Sequence, residues 1–139
     1  MKNARVLIVD DHEDVREVIV AYLETLGYDV VQASSGRTAL DFLSENSRAV
    51  NLLIADYAMP EMSGLELVRA VRAQNPTLPV IIVTGYAETG DFDDHRLDAV
   101  LLKKPFRMNE LGATIEMALA RRNEADATKV VPLRARKRS

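Results

Sequence analysis

The stretch Val6-Leu7-Ile8-Val9-Asp10-Asp11 is four consecutive apolar residues closed by two acids. A run so short and so uniformly apolar fits a strand buried on both faces; a half-exposed strand would alternate. Downstream the period changes. Val15, Val18, Ile19, Tyr22, Leu23 and Leu26 recur at helical spacing, and Gly27 stands where a helix-terminating glycine belongs. The two periods then keep alternating. Val30-Val31, Leu52 to Ala55, Val80 to Val83 and Val100 to Leu102 read as further strands. Ser35 is placed to cap a helix carrying Ala39, Leu40 and Leu43. Pro60 and Gly64 punctuate a loop, after which Leu65, Val68 and Val71 mark a helix that stops before Pro76. Met108, Leu111, Ile115 and Leu119 form the stripe of a last helix. Tyr86 to Asp98, with Gly90 and five acids, carries the weakest pattern and predicts a short or frayed helix.

Five strands alternating with five helices imply an α/β fold, a doubly wound parallel sheet with helices on both faces. In such sheets ligands bind in the crevice at the carboxyl ends of the strands. The 139 residues suffice for one domain, and the absence of cysteine excludes disulfides, thiolate zinc sites and a cysteine nucleophile. No apolar run approaches the ~20 residues that span a bilayer, and the first ten residues reach an acid before a secretory core can form. A cytoplasmic protein is expected. Of the net charge of −3, residues 1–122 carry −6 and residues 123–139 carry +3. The second segment, ending Arg134-Ala135-Arg136-Lys137-Arg138, is expected to be a disordered basic tail. It lacks a recognition-helix pattern and room for a DNA-binding domain, so it is read as solvated rather than as a nucleic-acid contact.

The carboxyl ends of the expected strands carry Asp10-Asp11, Asp56, Thr84-Gly85 and Lys103-Lys104-Pro105. Each alone has a plain explanation, such as helix capping for the aspartates or strand propensity for the threonine. Together, on one edge of one sheet, they describe a chemistry. Clustered carboxylates repel, and a divalent cation relieves that repulsion; oxygen-only donors suit Mg²⁺ or Mn²⁺ rather than zinc. With Asp10 and Asp11 as anchors, Asp56 keeps an oxygen free to attack phosphorus. The metal, the Lys104 ammonium and the Thr84 hydroxyl would neutralise the phosphoryl oxygens.

These pieces, namely Val6 to Asp11, Asp56-Tyr57-Ala58-Met59-Pro60-Glu61-Met62-Ser63-Gly64, Pro79 to Gly85 and Lys104-Pro105-Phe106, resemble a response-regulator receiver domain of bacterial two-component signalling. The resemblance spans about residues 4 to 122. It implies a flavodoxin-like sheet of order 2-1-3-4-5 and a receiver at 1–122. It implies Asp56 as phosphoacceptor, Asp10 and Asp11 as metal-binding acids, and the main-chain carbonyl of Ala58 as a third protein ligand. Thr84 takes the place of the switch hydroxyl and Lys104 that of the lysine preceding a cis-prone proline. It further implies a histidine kinase or histidine phosphotransfer protein as donor and a downstream protein partner. The chain would be a monomer or a phosphorylation-dependent dimer. Such a domain is a phosphoacceptor rather than an enzyme, with only self-catalysed transfer and slow autodephosphorylation.

Two features depart from that pattern. Leu101 occupies the position of the switch aromatic, with Tyr86 as the nearest substitute, and the segment after the fourth strand is short and acidic. His12 is read as a loop or helix-start residue, His95 as solvent-exposed, and Met59 and Met62 as loop packing. Three other readings stand beside the stand-alone receiver. A phosphohydrolase on a related sheet would want a second aspartate two residues after the nucleophile, where this chain has Ala58. A receiver module of a longer hybrid kinase or transcription factor is the second, and a phosphorylation-independent adaptor the third.

Overall fold

Five parallel strands are laid side by side in the order β2-β1-β3-β4-β5. They are β1 (Arg5–Val9), β2 (Asp29–Ala33), β3 (Leu52–Asp56), β4 (Val80–Thr84) and β5 (Val100–Lys103). The helices are α1 (Glu13–Thr25), α2 (Gly36–Asn46), α3 (Gly64–Gln74) and α4 (Met108–Val130). This is a computed structural model that describes residues 4–46, 49–85 and 98–130. The helix expected between Tyr86 and Asp98 lies outside the described residues except for Asp98 itself, as do Tyr86 and His95.

The continuous apolar runs form strands because both sheet faces are covered. In β1, Leu7 and Val9 enter a core with Ala39, Leu43, Leu65, Leu67 and Val68 under α2 and α3. Val6 and Ile8 enter a second core with Ile19, Leu23, Leu111 and Ile115 under α1 and α4. The central strands β3 and β4 are buried at every residue. Met59 and Met62 pack on the α2/α3 side, as expected of loop-packing residues.

Local signals set the helix ends. Gly27 follows the last residues of α1 at φ 95°, a conformation that disfavours a side chain. Ser35 Oγ accepts from Thr38 N at 3.1 Å. Ser63 and Glu66 form a reciprocal capping box at the start of α3.

Two features of the helices go beyond what their sequence patterns show. The apolar stripe read on α1 is only partly a core face: Ile19 and Leu23 are buried, but Val15 and Val18 are 46% and 59% exposed. At about 100° per residue Val18 lies on the flank of the core-facing arc, whereas Val15 lies within that arc but in the first turn; both valines line a groove at the carboxyl end of the sheet. The last helix also continues through Val130, past the boundary drawn at residue 122. Charge placed that boundary, but residues 123–130 contain no glycine or proline to stop a helix; Pro132 lies just beyond.

Candidate functional site

The site is assembled where the chain leaves the sheet. β1 lies between β2 and β3, so successive crossovers run to opposite sides of it and a crevice opens at its carboxyl end. Register then places the groups. Asp56 pairs with Val83 across β3 and β4, and Thr84 pairs with Lys103 across β4 and β5. Lys104 N donates to Thr84 O at 2.8 Å and the Lys104-Pro105 peptide is cis.

Asp10, Asp56 and Thr84 are the buried polar side chains among the described residues, at 5%, 3% and 1% exposure. Lys104 Nζ reaches Asp56 Oδ1 at 2.9 Å. Asp56 Oδ2 and Asp11 Oδ1 are shut from solvent and accept no hydrogen bond among the described residues. Carboxylate oxygens of Asp10, Asp11 and Asp56 and a ring nitrogen of His12 all lie within 4.8 Å of one another. Burial pushes the Asp56 carboxyl above its ordinary value; Lys104 opposes this and the negative charges of Asp10 and Asp11 add to it. A buried acceptor oxygen without a donor, facing two further carboxylates, is a donor set suited to a hard divalent cation. The acidic pocket therefore fits a magnesium-type ion.

The remaining expected residues fall around this cluster. Ala58 lies two residues past Asp56 in the loop after β3, exposed. Thr84 Oγ1 donates to Gly85 O at 2.9 Å. Leu101 pairs with Ile82 and packs, half-buried, against the α2/α3 core. His12 is the N-cap of α1, consistent with a helix-start residue.

Sequence reading missed two contributors. Arg16 reaches back from α1, donating from Nη1 to Asp10 O at 2.6 Å and from Nε to Gln32 Oε1 at 2.9 Å, and so ties the ends of β1 and β2. A basic residue in the first turn of the helix that follows the acidic pair was its only signal. Gly64 was read as punctuation, but a Cβ there would lie 2.6 Å from Asp56 O and 2.8 Å from Tyr57 Cα. Both neighbours are backbone and cannot swing away. We expect Gly64→Ala to destabilise the fold by about 3 kcal/mol, on the scale of severe overpacking, measured by urea denaturation. It should also displace Asp56 and slow its chemistry.

Residues 6–116 match the profile of the response regulator receiver domain. The chain belongs to the receiver family of response regulators. It is 37% identical over 118 residues to the response regulator receiver protein CpdR of Brucella abortus, covering 83% of this chain and 96% of that one. It is 36% identical over 123 residues to the sensor kinase CckA of the same organism, covering 87% of this chain but only 13% of the kinase. A receiver-domain crystal structure from Clostridium thermocellum superposes with a TM-score of 0.81 at 28% identity, over 88% of this chain and 98% of that one. The fold is thus the five-stranded receiver sheet in the expected order, and this receiver has the two-component signalling role of its family. Aspartyl phosphate and magnesium are features of that family.

Proposed function

We propose that the chain accepts a phosphoryl group from a phosphohistidine onto Asp56. The observation that carries this reading is the Asp56 carboxylate itself, buried at the sheet edge with Lys104 on one oxygen and Asp10 and Asp11 facing it. Asp10, Asp11, Asp56 and the carbonyl of Ala58 would hold Mg²⁺ or Mn²⁺, which when bound offsets the charge on the phosphoryl oxygens. A carboxylate oxygen of Asp56 attacks phosphorus in line with the donor nitrogen. The P–N bond breaks as the P–O bond forms, and the imidazole departs with the bonding pair and takes up a proton. Lys104 then follows the phosphoryl oxygens. Thr84 exchanges its bond to the Gly85 carbonyl for one to the phosphoryl group. That exchange draws the end of β4 toward the site and biases its packing. With Leu101 in place of an aromatic, the bias reaches a downstream protein through backbone and packing.

The donor's approach is also chemically defined. A groove of about 520 Å³ lined by Val15, Val18, Phe106 and Met108 has Asp10, Asp56 and Lys104 in its wall. A phosphohistidine entering along this groove meets Asp56 in its wall. A helix of the kinase or phosphotransfer protein covering the two exposed valines fits it. Val18→Lys should then lower transfer from a histidine phosphotransfer domain that serves the wild type by about tenfold or more. Transfer from acetyl phosphate should not change. An equal fall with both donors would remove the groove from the docking surface.

The test of the core reading is intact mass after incubation with acetyl phosphate and Mg²⁺, beside an EDTA control and an Asp56→Asn variant. A single metal-dependent phosphoryl adduct absent from the variant is expected. No adduct on the folded wild type would favour a phosphorylation-independent adaptor. A second reading, a module of a longer kinase or transcription factor, is favoured by α4 continuing to Val130 beyond the matched residues 6–116. The described residues contain no helix long and apolar enough to cross a membrane, in keeping with action in the cytoplasm.

A further inference from the structure

We infer that His12 is an additional ligand of the acidic pocket and widens its metal preference from hard ions toward Co²⁺ and Zn²⁺. The inference rests on reading that pocket as a divalent-cation site. His12 Nδ1 lies 3.4 Å from Asp10 Oδ1 and 3.4 Å from Asp11 Oδ1. For metal–ligand bonds of about 2.0–2.1 Å, neighbouring donors of a tetrahedral ion are about 3.3 Å apart, against about 2.9 Å in a magnesium octahedron. Both separations of the imidazole nitrogen from the aspartate oxygens therefore match tetrahedral spacing.

The ring is also accessible. His12 caps α1 without a side-chain hydrogen bond to the helix, and its side chain is 65% exposed. Its backbone is held in place, with the amide donating to Asp10 Oδ1 at 2.8 Å. A further sign of a ligand is Asp56, 3% exposed, whose carboxylate belongs to the same cluster and whose Oδ2 accepts no hydrogen bond among the described residues. Carboxylates alone rank Mg²⁺ and Mn²⁺ as fitting occupants; an imidazole nitrogen adds a donor that Mg²⁺ uses poorly and borderline ions use well.

The experiment is calorimetric titration of the full chain with Mg²⁺, Co²⁺ and Zn²⁺, together with the visible spectrum of the Co²⁺ form. The variants are His12→Asn, which keeps a favourable helix cap, and Asp10→Asn, with His95→Asn as a control for the other histidine. We expect His12→Asn to weaken Co²⁺ and Zn²⁺ binding about tenfold or more while Mg²⁺ affinity stays within about twofold, on the scale of ligand-shell losses. The Co²⁺ absorption should weaken in the same variant. His95→Asn should match the wild type, and Asp10→Asn should weaken every ion. Mg²⁺ binding with unchanged Co²⁺ and Zn²⁺ affinity in His12→Asn would overturn the inference and leave the metal site standing. A gain for all ions alike would show the ring to be a guard rather than a ligand, and overturn it too. If no divalent ion binds the wild type, the metal reading itself falls, and this inference with it.

Discussion

Asp56→Asn is expected to take up no phosphoryl group and yet to be more stable than the wild type at pH 7. The first result follows because an amide oxygen is too weak a nucleophile to replace the carboxylate. The second follows from the site's electrostatics. The wild-type carboxylate is buried beside Asp10 and Asp11, and only Lys104 opposes their combined effect. Its pKa is raised, so the folded protein keeps the proton at pH values where the unfolded chain has lost it. The penalty is therefore absent below the ordinary value of 3.8 and grows as pH rises through the window up to the raised value. Above that window it is present in full. Asparagine removes it, and a gain at neutral pH is expected, on the scale of about 1.4 kcal/mol for each unit by which the folded and unfolded values differ. Thermal melts across the acid range check the sign: the gain should shrink as pH falls toward 3.8. Adding Mg²⁺ should stabilise the wild type more than the variant and narrow the difference. A variant less stable than the wild type at pH 7 would contradict this account of the pocket.

Lys104→Ala should slow phosphoryl uptake from acetyl phosphate by about 10²- to 10³-fold, the usual effect of removing one preorganised donor from developing charge. Two losses combine. The ammonium 2.9 Å from Asp56 Oδ1 no longer meets the phosphoryl oxygens, and Asp56 loses the group that favours its charged form. The acid limb of the pH–rate profile should accordingly move to higher pH, because the nucleophile is the deprotonated carboxylate. Stopped-flow or mass-resolved time courses at saturating Mg²⁺ would read both changes. Lys103 is the natural comparison. It ends β5 opposite Thr84, and its alanine variant should keep most of the rate.

Much of this molecule is legible in single stretches of sequence. Val6 to Val9, Leu52 to Ala55 and Val80 to Val83 are apolar at every position because both faces of their strands are covered. The period-two signal vanishes there and a solid run replaces it. Gly27, Ser35 and Ser63 with Glu66 act on backbone groups within a few residues, so their effects can be read locally. The candidate site is legible for a topological reason: in a parallel sheet every strand ends at the same edge, so the residues after each apolar run share one crevice.

What the sequence by itself determined is thus the succession of strands and of the four described helices and the identity of the groups at the sheet edge, since both follow from local periods and one topological rule. Tertiary structure alone decided which of those groups touch. The Lys104–Asp56 pair joins residues 48 positions apart, Arg16 secures the end of β1 through a carbonyl, and Gly64 is required by the backbone of Asp56 and Tyr57. It also decided that α1 turns Ile19 and Leu23 to the sheet and leaves Val15 and Val18 beside the site. Helical spacing records an apolar arc, but only the packing of α1 against β1 and α4 selects which part of that arc is covered. Distances between groups on separate elements are set by crossovers and close packing, and no local pattern encodes them.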